Sequence, residues 1–186
     1  MKKYVMIWGM LLICLVGLKG QTEINFTTVP VVNGKVVFEH FFLSKPNLTP
    51  DRQYAGMKQW VKGKYADKNT LTGMRYDEAG RAISVSAKAE WMIPSEGSGA
   101  AEKMVMNYRF DVSVTGSGTM FTVRDITYQG VPKAGASSFP KVFTAEQTIT
   151  EKAIAESGAQ SERNKQIRRE TLLFLNQLFA ELSRNF

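Results

Sequence analysis

Lys103–Tyr128 reads KMVMNYRFDVSVTGSGTMFTVRDITY, and its reading decides the fold. Met104, Met106, Tyr108, Phe110, Val112 and Val114 alternate with Asn107, Arg109, Asp111 and Ser113. A period of two places one set on each face of a strand. Thr115-Gly116-Ser117-Gly118 turns the chain, and Thr119–Tyr128 resumes with Phe121 and Val123 apolar against Thr122 and Arg124. If Val114 pairs with Thr119, Phe110 meets Val123 and Arg109 meets Arg124, so both faces stay consistent across the hairpin. The expected sheet is antiparallel, with one face covered and the other wet.

Two more strands precede the hairpin. Ala82–Met92 alternates Ile83, Val85, Ala87, Ala89 and Trp91 with Ser84, Ser86, Lys88 and Glu90, and Thr70–Asp77 joins it through the turn Asp77-Glu78-Ala79-Gly80. Lys35–Phe42, KVVFEHFF, is rich in β-branched and aromatic residues and reads as the first core strand. Asn33-Gly34 is a tight-turn signal, so Val29–Val32 can pair back on that strand as a hairpin. That makes about five strands.

Only helices remain to cover the apolar face. Thr49-Pro50 has the form of an N-cap followed by proline, and Tyr54, Met57, Trp60, Val61 and Tyr65 share one helical stripe over residues 50–64. The final stretch Ile167–Phe186, IRRETLLFLNQLFAELSRNF, is the strongest helical pattern of the mature chain. Ile167, Thr171, Phe174, Leu175, Leu178 and Leu182 form its stripe, widened by Leu172, Phe179 and Phe186. A long helix over 162–186 therefore lies on the sheet as its lid. Thr144–Gln147 and Thr148–Glu151 both have capping-box form, which places a short helix at about Glu146–Ala155, ended by Ser157-Gly158.

The first twenty residues read as a signal peptide. Lys2 and Lys3 precede an apolar run, Tyr4–Leu18, too short to span a bilayer, and cleavage is expected between Gly20 and Gln21. Ile13 is not the small residue that a lipidated Cys14 would need before it. Residues 21–32 then form an extended arm and 33–186 a single domain. Loss of Lys2, Lys3 and Lys19 lowers the formal charge from +7 to +4 with no concentrated basic run, so the composition gives little support to nucleic-acid binding. With Cys14 removed, no cysteine is left for disulfides, thiolate chemistry or zinc.

Strand, helix, four strands, helix is the order of one TATA-binding-protein-like repeat. The motif Asn33–Phe38 (NGKVVF), Trp60-Val61, the Asp77–Gly80 turn and the hairpin Tyr108–Asp125 (YRFDVSVTGSGTMFTVRD) look like those of a family of exported bacterial proteins. That family is classed as a domain of unknown function with a TBP-like fold. The resemblance spans residues 33–128 and implies an α+β fold with two main helices on one face of an antiparallel sheet. It implies no catalytic residues; one histidine and, in the mature chain, no cysteine leave no usual zinc site, and no cofactor is expected.

Chemistry-bearing residues are sparse. His40, the one histidine, lies between Phe38 and Phe42 and reads as structural rather than as a base. No nucleophile-elbow, phosphate-loop or dinucleotide glycine pattern occurs. Glu90 and Asp111 on the wet face are the least implausible carboxylate pair for a hydrolase of envelope glycan or peptide, and Trp60 and Trp91 fall on apolar faces. The wet face presents Lys88, Arg109, Asp111 and Arg124 and no phenylalanine wedge of the kind that TBP drives into DNA. The expectation is an exported, non-enzymatic module binding an envelope protein or glycan through those four residues, not nucleic acid, and with no membrane span left after cleavage. A purely structural role through the arm or the loop Gln129–Val142 is the remaining alternative.

Overall fold

The computed structural model of the chain describes residues 24–67, 69–94, 101–131, 141–155 and 158–185. The expected leader 1–20 and the start of the arm, 21–23, lie outside the described residues, as do most of the loop 129–142 and the expected break at Ser157.

The arm enters through Ile24–Pro30 and makes a two-stranded hairpin, β1 (Val31–Val32) on β2 (Lys35–Val36). Asn33 (φ 50°) and Gly34 (φ 76°) both occupy the left-handed region, as a two-residue hairpin loop requires. The expected strand Lys35–Phe42 is thus two strands: its first two residues serve the hairpin, and β3 (Phe38–Leu43) joins the main sheet.

Helix α1 (Pro50–Lys64) starts where Thr49 Oγ1 accepts the Arg52 N–H at 3.4 Å. Strands β4 (Leu71–Asp77), β5 (Ala82–Pro94), β6 (Ala101–Val114) and β7 (Gly118–Gly130) follow as an antiparallel meander. The sheet order is β3-β7-β6-β5-β4, and a strand absent from the sequence reading, β8 (Val142–Thr144), continues the outer flank of β7 beyond β3. The main sheet has six strands rather than about five. The hairpin register is the expected one: Val114 opposes Thr119, Phe110 opposes Val123 and Arg109 opposes Arg124.

Two short helices, α2 (Ala145–Thr148) and α3 (Glu151–Ala155), replace the single expected one at Glu146–Ala155. Thr144 and Gln147 form a complete capping box. Thr148 does not form the second: its hydroxyl donates back to the Thr144 carbonyl at 2.8 Å, and Thr150 Oγ1 instead accepts the Ala153 N–H. The long helix α4 (Ala159–Asn185) begins earlier than expected; Ser161 donates to the Ile154 carbonyl and Asn164 to that of Ala153, tying its first turns to α3.

Both long helices lie on the same face. Met57 and Val61 of α1 and Ile167, Leu175, Leu178, Phe179 and Leu182 of α4 bury against Val85, Met106, Phe110, Val112, Phe121 and Val123 of the sheet. The arm is stitched to α4. Asn176 accepts the Phe26 N–H at 2.7 Å, and Phe26 packs edge-on to Phe38 and Phe179 with ring centroids 5.1 Å apart.

One irregularity governs how β7 serves this core. Asn107 opposes Thr127 while Arg109 opposes Arg124, so β7 carries one residue more than β6 across that interval. Asp125, at φ 53°, is in the left-handed conformation at the bulge. Before it the odd-numbered Phe121 and Val123 are buried; after it the even-numbered Ile126 and Tyr128 are.

Candidate functional site

The uncovered face carries the side chains that alternate with the core. Asp111 of β6 is at its centre, flanked in register by Ser84 of β5 and Thr122 of β7. Arg109 and Arg124 are directly opposite one another, an arrangement of like charges that destabilises a strand pair unless something bridges it. Asp111 is the bridge. Its Oδ1 accepts from Arg109 Nε at 2.9 Å and from the Ser84 hydroxyl, and its Oδ2 accepts from Arg124 Nε at 2.7 Å. Arg109 Nη2 also donates to Ser84 Oγ at 3.1 Å, and Arg124 Nη1 is 3.6 Å from Asp125.

Burial by itself pushes the Asp111 carboxyl up, but the hydrogen bonds from Ser84, Arg124 and Arg109 outweigh it and hold the group below its usual range. Such a group adds stability above its unfolded value of about 3.9, and that stability disappears as pH falls through the lower folded value. Asp111→Asn is therefore expected to lower the melting temperature at pH 7 and to narrow its gap from the parent protein as pH drops below about 4. A gap that stays constant from pH 7 to pH 2.5 would contradict the assignment.

Of the four residues picked from sequence, three converge. Lys88 does not: it opposes Asn107 and pairs with Glu90 at 3.5 Å, and Lys103 reaches the same carboxylate at 2.5 Å. Ser84 is the member that sequence reasoning passed over. Its place directly opposite Asp111 follows from the Ala82–Ser113 register and was legible in the alternation.

The carboxylate pair weighed for hydrolysis is not a pair. Glu90 opposes Val105, six residues along β6 from Asp111, a separation of about 20 Å at the rise of a strand. The carboxyl groups of glycosidases stand about 5–9.5 Å apart. Glu90 is held low by its hydrogen bond from Lys103, and Asp111 is also low, so neither is poised to donate a proton at neutral pH.

His40 opposes Phe121 on the core side, its ring edge-on to Phe42 at 4.7 Å, and burial lowers its pKa. Trp60 packs toward Phe110 and Trp91 toward Phe174, both on the helix side. Phe41 does fall on the open face, contrary to the expected lack of a phenylalanine there, because β3 contributes Glu39, Phe41 and Leu43 to it. It covers Gly118, where a Cβ would stand 2.1 Å from the Phe42 carbonyl oxygen and 2.6 Å from the Phe41 ring. Among the described residues no group of His, Cys, Asp and Glu could hold a metal ion, and no helix is long and apolar enough to cross a membrane.

Two crystal structures share this architecture. A TBP-like protein from Parabacteroides distasonis superposes with a TM-score of 0.67 at 20% identity, over 84% of this chain and 96% of its own. A DUF4468 family protein from Bacteroides ovatus gives a TM-score of 0.64 at 18% identity, over 87% of this chain and 91% of its own. The fold is TBP-like. No family model matches the sequence, and no curated protein matches it.

Proposed function

We propose that this chain is an exported, non-enzymatic binding module whose uncovered sheet face engages an anionic macromolecule of the cell envelope, protein or glycan. The observation that carries the reading is the pair of guanidinium groups braced across β6 and β7 by one carboxylate. Each arginine hydrogen-bonds Asp111 through Nε, and most of its five N–H donors remain directed elsewhere. Both side chains are about two-fifths exposed. Their orientation is set before any partner arrives, so less side-chain entropy is lost when they form bidentate contacts to phosphate or carboxylate. The apolar run and basic start of the leader support export.

The double variant Arg109→Ala/Arg124→Ala isolates this surface. Exposed ion pairs contribute about 0–1 kcal/mol each, so the melting temperature should move by only a few degrees. Recovery of bound material from the organism's own envelope extract should fall at least about tenfold, the equivalent of one charge-assisted contact of about 1.5–3 kcal/mol. Recovery equal to that of the parent protein would reject the face as the binding surface.

A further inference from the structure

A cleft of about 470 Å³ opens on the opposite side of the sheet, between α1 and the turn that joins β4 to β5. Asp51, Tyr54, Lys58, Gln59 and Lys62 line it from one flank of α1, and Glu78 closes it from the turn. Asp51, Tyr54, Lys58 and Lys62 follow at spacings of three and four and share one face of the helix, and Gln59, three residues before Lys62, borders it.

The floor of this cleft holds an unmet demand. Tyr54 is 5% exposed, and its hydroxyl oxygen is buried with no hydrogen-bond partner among the described residues. A buried hydroxyl left unpaired is destabilising by about 1–3 kcal/mol, and tyrosines in such places ordinarily find a partner. Phenylalanine would fill the same space without that penalty. The Lys58 ammonium lies 5.5 Å from the centres of both the Tyr54 and Tyr76 rings and is joined to Glu78 at 2.6 Å. Lys62 stands 6.0 Å from the Tyr76 ring and, among the described residues, has no carboxylate partner. Asp51 reaches away to Arg81, and no hydrogen bond holds the Gln59 side chain among the described residues.

We infer that this cleft is a second binding site, for an acidic monosaccharide unit such as a hexuronic acid. In that arrangement the sugar carboxylate meets the Lys62 ammonium, a ring hydroxyl pairs with the Tyr54 hydroxyl, and Gln59 and Glu78 take further hydroxyls. The chemistry fits each part. A hydroxyl can donate to and accept from Tyr54, a free ammonium wants an anion, and a carboxylate and an amide are the usual acceptors for sugar hydroxyls. The Lys58–Glu78 pair, with Glu78 65% exposed on a turn, is the element that must swing aside to admit the ligand. Nothing in this site depends on the uncovered sheet face.

Isothermal titration with glucuronate, glucose and acetate as probes tests it on the full mature protein. Glucuronate is expected to bind at least about tenfold more tightly than either glucose or acetate. Tyr54→Phe should weaken glucuronate binding about five- to tenfold, one hydrogen bond's worth, while leaving the melting temperature unchanged or higher. Lys62→Gln should bring glucuronate down to the level of glucose, and Arg109→Ala/Arg124→Ala should bind glucuronate as the parent does. No glucuronate heat at tens of millimolar would overturn the site. So would parent-like binding by both Tyr54→Phe and Lys62→Gln, a Tyr54→Phe variant that melts lower, or a loss confined to the double arginine variant.

Discussion

Deleting Asp125 is expected to abolish soluble, cooperative folding. The residue forms part of a bulge, and the bulge is what lets one strand serve one core along its whole length. Phe121 and Val123 lie below it in odd register, Ile126 and Tyr128 above it in even register, and all four are buried. Without the extra residue, Ile126 and Tyr128 either turn onto the uncovered face or drag β7 out of register with both β6 and β8. Turning them out forfeits about 1.5–3 kcal/mol for each side chain. It also breaks the 2.8 Å hydrogen bond between the hydroxyls of Tyr128 and Thr171, leaving buried Thr171 with its bond to the Ile167 carbonyl alone. That loss approaches the whole stability of an ordinary domain, about 5–15 kcal/mol. Asp125→Gly is the matched control, because glycine adopts φ near +50° without strain; its unfolding free energy from urea titration should lie within about 1 kcal/mol of the parent's. A deletion variant with a single sharp thermal transition at the parental temperature would show that the bulge is dispensable.

Phe179→Ala is expected to be the most damaging single side-chain truncation on α4, at about 3–5 kcal/mol in urea unfolding. The ring is fully buried, and it joins three parts of the chain that are far apart in sequence: α4 itself, the arm through Phe26, and β3 through Phe26 onto Phe38. Removing it leaves a void that helix, arm and strand cannot all close at once. Phe174→Ala should cost less, because that ring is only partly buried, against Trp91 and Tyr108. A Phe179→Ala loss below about 1 kcal/mol would mean that the arm does not contribute to the fold.

What was legible in the sequence was periodic. The four strands of the meander, the residues of α1 and the Arg109–Arg124 opposition all follow from alternation and capping, and each appears where the pattern put it. What was not legible breaks a period. Val142–Thr144 is three residues long, too short to show alternation, and it exists because β3 leaves the far half of β7 unpaired. The parity change at Asp125 is invisible unless the loss of phase between Val123 and Ile126 is itself taken as the signal. Val36 and Phe38 belong to different pairings because the chain must leave the hairpin to enter the sheet, a tertiary demand that the apolar run KVVFEHFF hides. In the candidate site, Arg109, Asp111 and Arg124 share a face by phase alone. Lys88 falls away because Glu90 is its nearer partner and, shared with Lys103, forms a separate cluster. The unpaired Tyr54 hydroxyl could not be foreseen, since nothing in a helical stripe says which polar tip will lack a neighbour.

The stitch between the arm and α4 has a temporal meaning. Phe26 and Asn176 are separated by 150 residues. At about 5–20 residues per second of synthesis, the arm waits roughly 8–30 s for its partner to be made. Until then Phe26, Phe38 and the apolar side of the meander lack their lid, and the chain stays open. The latch therefore closes late, after every strand of the sheet has been made.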